Sequence, residues 1–350
     1  MQTSTPASPQ PLERAADAPR AVRANARAEW VDVAKGMGIV LVVLGHAIGG
    51  LVSARLVAPD SAWNATFYLI YTFHMPLFFL LAGLFVEQRL ASDAGGFVRS
   101  AFTRIAWPYL LWSVVQLLVI DAVGSAVNVP TEVSAWRLVA LLWEPASQFW
   151  FLQALLVLHL ASRLLLPHIG AAAFVLVLLL ARGVVEWVEL PPLLAAPARY
   201  GMYYALGVWL GPLLLRSVEA LPRSRATALA AAATVVWAIA AVAAYASGHA
   251  YISLATLPAA FAGSAAVVAL ASLPRATLAA FWVQLGQASM AIYLLHVLFV
   301  AGTRIVLVKL LGLDAPAVIL PLACVAGIAG PLLVRMLASR AGATRMLGLG

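Results

Sequence analysis

Apolar stretches long enough to cross a bilayer follow one another along this chain, with Pro, Gly and charged residues confined to the joints between them. A helix needs about 20 apolar residues to cross the hydrocarbon core, where only helices and closed barrels can satisfy their own backbone groups. Ten such stretches are expected, at about 33–53, 64–86, 105–124, 149–166, 170–188, 198–215, 226–247, 251–272, 284–308 and 315–337. With 63% of residues hydrophobic and only 10% charged, the sequence lies far outside soluble usage. The expected fold is therefore all-α: a polytopic membrane helix bundle of about ten transmembrane helices.

The charges fix an orientation. Of the 22 Lys and Arg residues, 16 fall in the amino-terminal segment and the loops on its side, and such a bias marks the cytoplasmic face. Both termini are accordingly expected in the cytoplasm. Arg55, Arg137, Arg199 and Lys309 fall opposite, while Arg182 and Arg304 lie inside predicted spans. Residues 1–29, rich in Ala, Pro, Ser and Arg, read as a disordered cytoplasmic tail, 30–337 as the transmembrane domain and 338–350 as a short cytoplasmic tail. The stretch 132–147, which carries Trp136, Arg137, Trp143 and Glu144, reads as an interfacial helix on the outer face, and the Ala-rich 226–247 as lipid-facing or packing filler.

Composition also narrows the chemistry. The net charge of +8 is scattered between apolar runs rather than gathered on a polar face, which speaks against nucleic acid as a partner. A single cysteine, Cys324, excludes disulfide scaffolds and Cys-ligated metal clusters. No Gly-rich phosphate loop, Gly-x-Ser-x-Gly elbow or His-Glu-x-x-His helix occurs, and no metal or permanently bound cofactor is expected.

Ionisable side chains deep in a span are costly and mark function. His46 in the first span and His74 in the second each lie about thirteen residues, or roughly 20 Å, from the basic side. Lys35 and His46 are eleven residues apart, so they share one helical stripe about 16 Å long. Asp32 precedes Lys35 by three residues, where an ion pair across one turn is natural. Gly38, Gly45 and Gly49 allow a neighbouring helix or ligand to come close. Imidazole near its ordinary pKa suits a general base, and a cation at the entrance suits a phosphorylated donor.

These residues resemble a known family. The run Trp30-Val-Asp32-Val-Ala-Lys35-Gly with His46, Phe73-His74-Met75-Pro76 followed by Ala82-Gly83, Arg104-Ile-Ala-Trp-Pro108-Tyr109, Trp150-Phe151-Leu152-Gln153 and Leu285-Gly286-Gln287 through Tyr293 to His296 are similar to the membrane acyltransferase-3 family, in particular its fucose 4-O-acetylase-like branch. The resemblance covers about residues 30–337. It implies a bacterial inner-membrane enzyme that moves an acyl group, usually acetyl, from cytoplasmic acyl-CoA to a hydroxyl of a carbohydrate or glycolipid bound for the cell surface. It further implies that the matching His46 is catalytic and that the matching basic residue, here Lys35, is essential and serves the donor.

On this reading His46, Asp32 and His74 form the catalytic group, and Lys35, Arg104 and Arg99 hold the donor's charged part. Trp150 and Gln153 at the outer end of the fourth helix, with Tyr293 and His296 in the ninth, face the acceptor. Asp32, Lys35, His46 and His74, on facing stripes, would line a pore-like cavity through the bundle. Arg182 and Glu186 are expected to neutralise one another, and His159 with Arg163 to be structural. The alternative from another class is a transporter or flippase exporting a polysaccharide or small polar solute, with the same histidines coupling protons.

Overall fold

The computed structural model describes residues 18–273 and 276–350, with side chains from Glu29 onward and without that of Ala276. Among the described residues the chain is helical and has no strand. Its helices are α1 (Ala18–Ser53), α2 (Ala62–Tyr71), α3 (His74–Gly83), α4 (Val86–Leu90), α5 (Ala94–Ala101), α6 (Trp107–Val123), α7 (Ala135–Ala140), α8 (Trp150–Val184), α9 (Pro192–Ser217), α10 (Arg223–Ala246), α11 (Leu257–Ala271), α12 (Ala276–Gln287), α13 (Ser289–Ile305) and α14 (Pro316–Arg340). The segment expected to be a disordered tail lies outside the described residues up to 17; from Ala18 it continues α1.

Among the described residues, eight helical runs are long and apolar enough to cross a membrane: Glu29–Ser53, Ala62–Gly83, Ala94–Ala126, Ser147–Val184, Arg223–Ala246, Leu254–Ala271, Ser289–Leu310 and Pro316–Arg340. The run Ser147–Val184 holds two of the expected spans. Pro167 removes a backbone donor and Gly170 sits at φ 73°, ψ 168°, outside the helical region, so α8 breaks there. Its side chains Leu158 and Leu178 both lie about 3 Å from the Cβ position of Gly201. Twenty residues of straight helix would hold them about 30 Å apart, so the two halves double back beside α9. Reading those halves as separate passes and adding α9 restores ten spans.

The bundle is built around α1, which packs against α2, α3, α11, α12, α13 and α14. Lipid tails are as apolar as leucine, so close packing and buried polar pairs, rather than dehydration, hold such helices together. The stripe Gly38, Gly45 and Gly49 is filled by the rings of Phe78, Tyr71 and Phe67. Gly286 brings α12 into backbone contact with α1: a Cβ there would lie 1.8 Å from the carbonyl oxygen of Asp32. Polar pairs add to this packing. The side-chain amides of Gln116 and Gln148 bond reciprocally at 3.1 and 2.8 Å, and the Ser162 and Tyr204 hydroxyls meet at 2.9 Å.

Two local expectations are narrowed. The stretch 132–147 contains only a six-residue helix, α7, pinned by an Arg137–Glu144 ion pair at 2.8 Å and by the paired rings of Trp136 and Trp143. The Ala-rich α10 serves as packing, one of the two roles expected of it. It buries Ala226, Ala230, Ala241 and Ala244 while packing on α11, and Trp237 Nε1 donates to the Thr72 hydroxyl.

Candidate functional site

Two cavities open from opposite ends of α1 and approach each other at its middle. The larger, about 1040 Å³, has a basic mouth formed by Lys35, Arg89, Arg99, Arg104 and Arg345, with Asp32 among them. Its deeper wall is apolar, with Ile39, Val42, Met75, Phe78, Phe151 and Leu155. The smaller, about 550 Å³, is lined by His46, Asn64, Phe67, Tyr71, Gln116, Asn128, Tyr251 and Arg304 among apolar residues. On α1 the floor of the first cavity is Val42 and the floor of the second is His46, one helical turn or about 6 Å further on. The expected single pore is thus replaced by two chambers that end back to back.

At the basic mouth, Lys35 Nζ lies 3.4 Å from Asp32 Oδ1, the pairing expected from their spacing. Arg99 and Arg104 stand exposed at the rim, Arg104 within a π-helical turn, Phe102–Ala106, where α5 gives way to α6. The sequence reading missed two further cations. Arg89, counted there only as an orientation signal, donates from Nη1 to His159 Nε2 at 2.6 Å, while His159 Nδ1–H is spent on the Leu155 carbonyl at 2.9 Å. Burial first, and then the neighbouring Arg104, hold the Arg89 guanidinium below its ordinary pKa, against an opposing effect of Tyr204. His159 therefore supports Arg89; its expected neighbour Arg163 instead bonds the Leu90 carbonyl and lies over the Phe97 ring.

The second missed cation is Arg345. The segment after α14, expected to be a free tail, folds back over the mouth. Trp107 and Trp112 donate their indole N–H groups to the carbonyls of Met346 and Leu347 at 2.7 and 2.8 Å, and Leu349 is buried. Composition carries no trace of this docking, because the contacts are made through backbone carbonyls.

At the junction of the chambers the ring of His46 meets that of His296 edge-on, with centroids 4.9 Å apart. His296 is fully buried, and its Nδ1 faces the carbonyls of Tyr293 at 2.8 Å and Ile292 at 3.0 Å. Only an N–H can approach two carbonyl oxygens in this way, so a neutral His296 keeps its lone pair on Nε2. That atom is buried without a hydrogen-bond partner among the described residues. Tyr293, one turn earlier, lines the first cavity and donates its hydroxyl to the Gln148 carbonyl.

His74 shares the depth of His46, with the Tyr71 ring 6.3 Å from one and 4.6 Å from the other. It lines neither cavity, and its Nδ1 is engaged by the Ile70 carbonyl at 2.8 Å. Trp150 and Gln153 also line neither cavity. Trp150 stacks on Tyr200 at 5.1 Å, and the Gln153 amide is directed at the Tyr109 hydroxyl and the Leu142 carbonyl, each at 3.4 Å. The aromatic wall of the second chamber is Phe67, Tyr71 and Tyr251 instead, with Phe67 and Tyr71 stacked 3.9 Å apart and Tyr71 and Tyr251 5.1 Å apart. The remaining expected pair forms: Arg182, 2% exposed, bonds Glu186 at 2.8 Å and the Ile252 carbonyl at 2.7 Å.

Comparison with known proteins bears on this geometry. Over 143 residues the chain is 29% identical to nodulation protein NolL of Mesorhizobium japonicum, a match that covers 38% of this chain and 35% of that protein. The chain thus spans about a third of the length of the curated relative it matches. No solved structure matches. The profile of an acyltransferase domain, acyltransferase-3, matches residues 28–336, which include α1 from residue 28 onward, both histidines of the junction and nearly all residues of both chambers. The chain belongs to the acyltransferase-3 family and is a multi-pass membrane protein.

Proposed function

We propose that this chain is an O-acyltransferase that takes an acyl group, most simply acetyl, from acyl-CoA in the basic chamber and passes it to a carbohydrate hydroxyl in the aromatic chamber. The observation that carries the proposal is the back-to-back arrangement of two chambers of opposite chemistry, separated on α1 by the single turn from Val42 to His46. A mouth of Lys35, Arg89, Arg99, Arg104 and Arg345 suits the phosphates of coenzyme A, since guanidinium pairs closely with phosphate oxygens. The apolar depth suits a short acyl chain. The rings of Phe67, Tyr71 and Tyr251 suit the face of a sugar better than Trp150 and Gln153, which are engaged elsewhere.

In the reaction His46 removes the proton from the attacking hydroxyl. The new C–O bond forms as the thioester C–S bond breaks, and the proton returns to the departing thiolate. His296 positions His46 by packing edge-on against its ring at the junction. Asp32 holds Lys35 at the mouth, and His74 supports the wall behind Tyr71. We place the basic mouth on the cytoplasmic side of the bacterial inner membrane, where acyl-CoA is available, and the aromatic chamber on the outer side.

The test is CoA release from acetyl-CoA by purified protein in liposomes supplied with an envelope-glycan fraction. Wild type should release CoA, and His46→Ala should lose about 10²–10⁴-fold of that activity, the usual contribution of a general base, while inserting normally. Full activity in His46→Ala removes the proposed base. No CoA release by folded wild type across several donors and glycans overturns the transfer itself and favours a transporter.

A further inference from the structure

Within the aromatic chamber one side chain has no role in the transfer just described. Arg304, in the last turn of α13 just before the π-helical turn Val306–Leu310, is only 7% exposed, yet it lines the chamber. Its Nε is buried without a hydrogen-bond partner, and no ion pair reaches its guanidinium among the described residues. Among the described residues, no Asp or Glu lines the chamber. Arg182 is met by Glu186, Arg137 by Glu144, Lys35 by Asp32 and Arg89 by His159. A buried, uncompensated guanidinium inside a membrane span is expensive, and a ligand that neutralises it recovers that cost.

We propose that Arg304 reads a negatively charged group, a carboxylate or a phosphate ester, on the acceptor carbohydrate. The inference rests on the acyl-transfer reading above and narrows its acceptor to anionic glycans. The placement fits one sugar unit. Arg304 Nε lies 3.8 Å from the Cβ position of Gly50, which is one turn beyond His46 on α1, so the cation sits about 6 Å along the helix from the base. An anionic group on the same ring as the reacting hydroxyl, or on its neighbour, would meet Arg304 while the hydroxyl meets His46. Phe67, Tyr71 and Tyr251 supply apolar ring faces in the same chamber. A planar fork of five donors binds either oxyanion bidentately, which Lys cannot do.

The experiment uses the full chain in liposomes of neutral lipid with acetyl-CoA and three matched oligosaccharides: one bearing a uronic acid, one bearing a sugar phosphate, and the neutral counterpart. Wild type should show an acceptor KM at least tenfold lower for one of the charged glycans than for the neutral one; the preferred charged glycan identifies the anion. Arg304→Gln should erase that preference without moving the KM for acetyl-CoA, and Arg304→Lys should restore part of it. Equal KM values for charged and neutral glycans in the wild type overturn the inference while leaving acyl transfer standing, even if the variants fail to fold. Loss of the charged-glycan preference when anionic lipid is added also overturns it, because the cation then serves a lipid headgroup. CoA release with none of the glycans overturns both readings together.

Discussion

The substitution Gly286→Ala tests the packing that sets the donor chamber. The added methyl would lie 1.8 Å from the Asp32 carbonyl oxygen and 2.6 Å from its carbon, and an ordinary Cβ contact begins near 3.4 Å. Backbone atoms cannot rotate away, so α1 and α12 must separate by about 1.6 Å, an overpacking that costs about 1–3 kcal/mol. Asp32 and Gly286 both line the donor chamber, so the same displacement carries the Asp32–Lys35 pair off its mark. A misplacement of about 1 Å can cost 10²-fold in rate. The expected result is a melting temperature lower by about 2–6 °C and kcat/KM for acyl-CoA reduced at least tenfold, with the acceptor KM unmoved. Gly183→Ala in α8 is the control: nothing lies within 4 Å of its Cβ position, and the change should be neutral or stabilise the helix by about 0.5–1 kcal/mol. Wild-type stability and donor kinetics in Gly286→Ala would refute the backbone contact between α1 and α12.

Other outcomes follow from single contacts. Lys35→Met should raise the acyl-CoA KM about tenfold and weaken its dependence on salt, leaving the acceptor KM as it was; steady-state kinetics at two ionic strengths would check this. At Glu186, just beyond the end of its span, burial alone would raise the carboxyl pKa, but bonds from the Arg182 guanidinium and the Leu254 N–H outweigh it and hold the group lower. The folded-state value being depressed, its stabilisation is complete above the ordinary glutamate pKa of about 4.3 and is lost as pH falls below it. Melting curves between pH 6 and pH 3 should therefore fall more steeply for wild type than for Glu186→Gln. Trp107→Phe removes the indole donor to Met346 and should raise the acyl-CoA KM by loosening the segment that carries Arg345, with little change in melting temperature.

The membrane bundle is legible in the amino-acid sequence alone, because runs of apolar residues about 20 long have no other stable home and their periodic joints mark the passes. So are the Lys35 to His46 stripe and the Asp32–Lys35 pair, since both depend only on helical geometry within α1. The Arg182–Glu186 bond is legible for the same reason, lying four residues apart on one helix. What lies between helices was not legible. His296, 250 residues after His46 in the sequence, is the imidazole that meets it, whereas His74, which shares its depth, sits behind Tyr71. Arg89 and Arg345 read as orientation charges until the fold brings them to one mouth. Trp150 and Gln153 look like sugar contacts until Tyr200 and Tyr109 are found against them. Periodicity specifies which face of a helix is special, but not which neighbour that face meets. That choice is made by the close approaches at Gly286, by the reversal at Gly170 and by the docking of the carboxyl-terminal segment on Trp107 and Trp112, each a contact between parts of the chain far apart in sequence.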